Sequence, residues 1–112
     1  MASAPKTREF LVIVPDKPGV KDKRLEVRPT HFKNMTPHVD SGDWKMGGAL
    51  LNTVPADDNP ANFDFMGSTL VCRGESKEQI LEQLKKDVYV TSGVWDIEKV
   101  RGQTRCIECI AN

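Results

Sequence analysis

The first strong pattern along the chain is an apolar run, Phe10-Leu11-Val12-Ile13-Val14, which ends at Pro15-Asp16-Lys17-Pro18-Gly19. A run of that length bounded by turn residues reads as a strand buried on both faces. From Arg24 to Asp40 the spacing changes, and Leu25, Phe32, Met35 and Val39 recur at intervals of seven, three and four residues. That is a helical stripe. Proline suits the first turn of a helix better than its interior. The pattern therefore predicts a short turn at Lys23–Arg28 and a main helix from about Pro29, kinked or ended early by Pro37 and capped by Gly42.

A second strand is expected at Trp44 to Leu51, with Gly47-Gly48 marking a bulge or a close backbone approach. Asn52 to Asn62 carries two prolines and Asp57-Asp58 and reads as a loop, long enough for so small a domain to bear on function. Phe63 to Arg73, rich in Phe, Thr and Val, is a third strand. Ser76 and Gln79 form a capping box ahead of Ile80, Leu84 and Val88, a helix expected to end near Asp87. Val94 to Val100 alternates well enough for a fourth strand, and Gly102 onward reads as a short tail with strand-like character at Cys106–Ile110.

The order βαββαβ is the split-βαβ motif of ferredoxin-like α+β domains, a four-stranded antiparallel sheet with helices on one face. The organisation expected is a flexible start over residues 1–8, a single domain over 9–101 and a tail over 102–112. The helices leave the other sheet face bare, and the simplest cover is a second copy of the chain, so a homodimer is expected.

Composition narrows the function classes. With 112 residues there is one domain's worth of chain, and Lys+Arg balance Asp+Glu at 16 each, so the basic footprint of a nucleic-acid binder is missing. The start, MASAPKTREF, has no apolar core of a secretory signal, and Phe10–Val14 is too short to span a bilayer. Three cysteines make no disulfide framework and fit a reducing compartment, so a cytoplasmic protein without membrane association is expected.

A set of residues in fixed order then carries a family resemblance: Asp16-Lys17, Lys23-Arg24-Leu25-x-Val27-Arg28-Pro29-x-His31, Gly48, Gly67-Ser68-Thr69, and Asp87-x-Tyr89-Val90-x-x-Gly93-Val94. Together these resemble the YciI-like (YCII-related) family from about Glu9 to Arg101. The resemblance implies a dimeric α/β barrel, two ferredoxin-like sheets packed face to face, with a pocket lined by a His and an Asp. One branch of the family is similar to a dehydrochlorinase of chlorinated hydroxyhydroquinones. Relatives of the fold include isomerases, dehydratases and monooxygenases of aromatic or polyketide compounds. The chain departs from the family pattern at Val88, where proline is usual, in the charged segment Asp43-Trp44-Lys45-Met46, and in the tail from Gly102.

His31 is the first candidate for chemistry. Two places into a helix that begins at Pro29, it would sit among unpaired N–H groups at the positive end of the dipole, which favours a neutral ring able to accept a proton. The plain alternative is a helix-flank histidine bonded to a backbone carbonyl. Asp16, just after the first strand, is the expected partner that fixes the ring's tautomer, or else simply a turn-capping Asp. Arg24 and Arg28, one helical turn apart, are candidates to clamp a ligand oxygen or to brace the fold against Asp87 or Glu26. Ser68 has no nucleophile elbow around it and is assigned hydrogen bonding to substrate at most.

His38 lacks a third metal ligand, Cys106-x-x-Cys109 stands alone, and no phosphate or dinucleotide motif occurs, so neither metal nor cofactor is expected. These residues suggest a small cofactor-independent enzyme of lyase, dehydratase or isomerase type. It would abstract a proton from a small oxygenated or aromatic metabolite with a His–Asp pair. A non-catalytic small-molecule binding or regulatory dimer is the alternative.

Overall fold

A computed structural model of the chain describes residues 6–100 and 103–108. The elements are β1 (Arg8–Pro15), α1 (Lys21–Ser41), β2 (Trp44–Leu51), a 3₁₀ turn (Pro60–Asn62), β3 (Phe65–Gly74), α2 (Lys77–Leu84), α3 (Val88–Thr91), α4 (Ile97–Val100) and β4 (Thr104–Ile107). The strands form one sheet in the order β2-β3-β1-β4 with every neighbouring pair antiparallel, the ferredoxin-like α+β arrangement.

Alternation along β1 sends Phe10, Val12 and Val14 under the helices, where they join Trp44, Leu70 and Cys72 from the neighbouring strands. Ile80 and Leu84 of α2 close that core. The expectation that β1 is buried on both faces is corrected within the single chain. Leu11 and Ile13 point to the other sheet face and are only half-buried there.

α1 corrects a second expectation. It is one continuous helix of 21 residues with both Pro29 and Pro37 inside it, rather than a turn followed by a helix from Pro29. An interior proline removes a helical hydrogen bond and costs up to about 3 kcal/mol in an isolated helix. Here both prolines lie on the exposed side, and the inward face of Val20, Arg24, Val27, His31 and Met35 is held by the rest of the molecule. The helix ends at Gly42, left-handed at φ 82° as expected of its cap. In α2 the Ser76 hydroxyl accepts from the Gln79 N–H at 3.1 Å, and the Gln79 side chain accepts from the Glu75 N–H at 2.7 Å, a capping box displaced by one residue.

The fourth strand is not at Val94–Val100. Val94 and Trp95 are both fully buried, which a strand with one solvated face does not permit, and Ile97–Val100 winds into α4. Only a single bridge, Asp16 to Trp95, joins this segment to the sheet. The true edge strand is β4, paired with Glu9–Val12. It begins ahead of the stretch read as strand-like, whose last residues, with Cys109, lie outside those described.

Candidate functional site

Beside α1, between its inward face and the β2–β3 ladder, lies a partly open cavity of about 180 Å³. Arg24, Arg28 and His31 reach it from α1, Gly47–Ala49 from β2, Ser68–Leu70 from β3, and Tyr89 and Trp95 from the segment after α2. Ligand sites for drug-sized molecules run to about 300 Å³ and more, whereas a cavity near 150 Å³ takes benzene. This one suits a single substituted ring. Gly47 lies opposite Leu70, and a Cβ there would stop 3.5 Å from that side chain, so a larger residue would occupy the cavity itself. The register irregularities of β2 fall at Trp44/Met46 and Leu50/Leu51, on either side of the glycines expected to mark them.

His31 is buried in the middle of α1, its eleventh residue, not in the first turn. The dipole environment expected for it is therefore absent. Its partner is also different. His31 Nδ1 lies 2.8 Å from Asp87 Oδ1, and the same oxygen accepts the Tyr89 N–H at 2.9 Å as the N-cap of α3. A carboxylate only accepts, so in the neutral ring the shared proton sits on Nδ1 and Nε2 keeps its lone pair. The ring stacks on Tyr89, with centroids 4.0 Å apart and planes at 17°, and meets the edge of Trp95. Burial pushes the Tyr89 phenol above its ordinary range, with nearby Arg24 and Arg28 opposing, so it is a neutral donor at pH 7.

Asp16 pairs with Arg24 rather than with His31. Arg24 Nη1 donates to both Asp16 oxygens, at 2.7 and 2.9 Å. The end of β1 does lie beside the start of α1, as expected, but His31 is about two helical turns further along. Burial raises the Asp16 carboxyl from its usual value, and the charge and hydrogen bonds of Arg24 pull it back. Arg24 Nη2 donates to Ser68 Oγ at 2.8 Å, and its guanidinium lies between the rings of Phe65 and Tyr89, 4.6 and 4.8 Å from their centroids. Arg24 thus braces the site, whereas Arg28, over the Phe32 ring, has no carboxylate partner among the described residues.

The cavity therefore gathers His31, Arg24, Arg28 and Ser68 but not Asp16. Sequence reasoning weighed Asp87 only as a brace for Arg24 or Arg28, whereas Arg24 pairs with Asp16, and it gave Tyr89 and Trp95 no role. The signal available for two of them was Asp87-x-Tyr89 in the family resemblance. The loop from Asn52 to Asn62, expected to bear on function, does not line the cavity, and Asn59–Ala61 instead adjoin the outer side of α1 near Leu25 and Phe32. His38 is half-buried, stacked on Trp44 at 4.6 Å, and no cluster of metal-ligating side chains occurs among the described residues. The Cys72 thiol, pushed up to about 12 chiefly by burial, is chemically quiet. No helix among the described residues is long and apolar enough to cross a membrane.

The YCII-related domain pattern matches residues 9–102. The chain belongs to the YCII-related domain family. This YCII-related protein is 39% identical over 95 residues to aspercryptin biosynthesis cluster protein B of Emericella nidulans, covering 84% of the chain but only 60% of that relative's length. It is 32% identical to fusaric acid biosynthesis protein 2 of Gibberella fujikuroi, covering 87% and 91% of the two chains. Protein YciI of Escherichia coli is 31% identical over 82% of the chain and 92% of its own. In fold it is similar to the 5-chloro-2-hydroxyhydroquinone dehydrochlorinase of Burkholderia phenoliruptrix, solved with 2,5-dihydroxybenzoquinone, at a TM-score of 0.68 and 19% identity over 93% of this chain and 95% of that one.

Proposed function

We propose that this YCII-related protein is a small cofactor-independent enzyme that uses His31 Nε2 as a general base on a small oxygenated or aromatic metabolite. The observation that carries the reading is the buried 2.8 Å contact of Asp87 with Nδ1 of His31, a histidine that itself lines a ring-sized cavity. The carboxylate fixes the tautomer and stabilises the imidazolium that forms when Nε2 takes a proton. A proton taken from carbon leaves an electron pair that moves onto the adjacent carbonyl oxygen as an enolate, and a proton taken from a phenol leaves the pair on that oxygen. Its return into the ring or chain expels a leaving group with its bonding pair or shifts a double bond. The outcome is elimination, dehydration or isomerisation. A positioned base contributes a factor of about a hundred to ten thousand, sufficient where a carbonyl has already acidified the substrate. Asp87 takes the orienting role expected of Asp16, which instead holds Arg24.

Two kinds of relative support this substrate class. Several are proteins of biosynthesis clusters, for fusaric acid, xenovulene A and a derivative of benzaldehyde. The structural neighbour is a dehydrochlorinase solved in complex with a dihydroxybenzoquinone. The working unit in this reading is a cytoplasmic homodimer closed over the bare sheet face.

The test is a thermal-shift screen of small phenolic and dicarbonyl compounds against wild type and His31→Ala, with turnover followed for each hit. A compound that stabilises both proteins but is consumed only by wild type is the expected result. Hits that bind both and are consumed by neither would replace the enzyme with a ligand-binding dimer.

A further inference from the structure

Counting hydrogens around the cavity specifies the ligand more closely, given the placement of the ligand against His31 proposed above. A serine hydroxyl has one hydrogen to donate and two lone pairs to accept with. Ser68 Oγ accepts from Arg24 Nη2 at 2.8 Å and from Trp95 Nε1 at 3.1 Å, so both lone pairs are engaged. Its own hydrogen has no acceptor among the described residues, although the residue is only 4% exposed and lines the cavity. The neighbouring Thr69 hydroxyl is already committed to Val12 O at 3.1 Å.

The remaining polar groups point to the same chemistry. Arg24 is neutralised by Asp16, but Arg28, one turn along, brings a cation with no carboxylate partner among the described residues. Tyr89 carries a protonated phenol. No carboxylate lines the cavity. Among the described side chains lining the cavity, hydrogens without a protein acceptor belong to Ser68, Arg28, Tyr89 and the buried Arg24 Nε, while His31 Nε2 and the Tyr89 oxygen can accept. A ligand oxygen opposite Ser68 can only accept, and any negative charge on it is favoured by the unpaired guanidinium.

We infer that Ser68 and Arg28 form an oxyanion site, and that the ligand is a monocyclic phenol or enol held there through its ionised oxygen. Ser68 is thus an obligate donor whose oxygen is locked by Arg24 and Trp95. Charge appearing on oxygen as the proton leaves for His31 would be met by groups already in place. The same arrangement disfavours a ligand hydroxyl that must donate to Ser68.

The probe is 4-nitrophenol, whose absorbance reports its own ionisation. Titrated with and without saturating full-length protein, the wild type is expected to lower the probe's apparent pKa by about one unit, a tenfold preference for phenolate over phenol. Ser68→Ala and Arg28→Gln should each weaken phenolate binding about tenfold while leaving phenol binding nearly unchanged, the scale of one hydrogen bond to a charged group. Arg28 is half-exposed, so its variant keeps the test open if Ser68→Ala fails to fold. His31→Gln should retain the shifted probe.

A bound probe with an unshifted or raised pKa, or no phenolate binding by wild type, would overturn the inference. So would a shift that disappears with His31→Gln and survives both other substitutions. If the shift depends on Ser68 and Arg28 but no phenol or dicarbonyl is consumed, the oxyanion site stands and the proton-abstraction reading falls.

Discussion

A histidine becomes a directed base only when something chooses which of its nitrogens holds the proton, and in this protein Asp87 makes the choice. Replacing it with Ala removes the acceptor, and the ring should revert to the tautomer favoured in water, protonated at Nε2. Nitrogen NMR of His31 should report that reversal, and turnover of any substrate found should fall by a hundredfold or more. Asp87→Asn keeps an acceptor oxygen but not the charge and should fall between the two. An unchanged His31 spectrum in Asp87→Ala would remove the orienting role. His31 stood out in the sequence and does line the cavity, but not through the helix-start position reasoned for it. Its helix starts at Lys21, so the dipole reasoning fails, and its carboxylate partner lies 56 residues away, beyond the reach of local patterns. The Asp-x-Tyr turn was visible only as part of a family likeness.

At the scale of elements, α1 shows why periodicity misled. The apolar stripe of Leu25, Phe32 and Val39 suggests an inward face, yet Phe32 is 47% exposed and Val39 45%. The positions that do turn inward include Arg24 and His31, because this face carries the site as well as the core. A helix whose buried stripe is partly charged cannot announce itself by hydrophobicity. Its attachment to the sheet is correspondingly ionic. Asp16→Ala leaves the Arg24 guanidinium buried without its carboxylate and should cost about 3 kcal/mol, a fall of roughly 10–20 °C in Tm. Calorimetry of Asp16→Ala with Arg24→Met should recover much of that loss. A double variant no more stable than the single would show that the pair is not what holds the helix start. The edge strand β4 was misplaced for a similar reason: Val94 and Trp95 are apolar because they close the cavity and core, not because they alternate in a sheet.

The whole molecule follows from element order, and the four-stranded antiparallel sheet was legible in the sequence, although its fourth strand was placed at Val94–Val100 and lies at Thr104–Ile107. The outer sheet face is where the proposed homodimer would close. The strand registers put Leu11 and Ile13 there with Met46, Leu50 and Val71, five apolar side chains on neighbouring strands. Light scattering should give twice the 12.5 kDa chain mass for the wild type, and Leu11→Glu with Ile13→Glu should give one chain mass with the His31 cavity intact. A monomeric wild type would refute the pairing.

One oxygen atom links these scales. Asp87 Oδ1 holds the histidine ring and also begins α3, a helix of four residues that has no stability apart from its surroundings. The two tasks cannot be separated: if that turn unwinds, the ring loses its orientation in the same event. The protein therefore contains an interlock, in which a partly folded chain carries the histidine but not its fixed orientation. In the proposed reading, reactivity is withheld until the last local turn has closed.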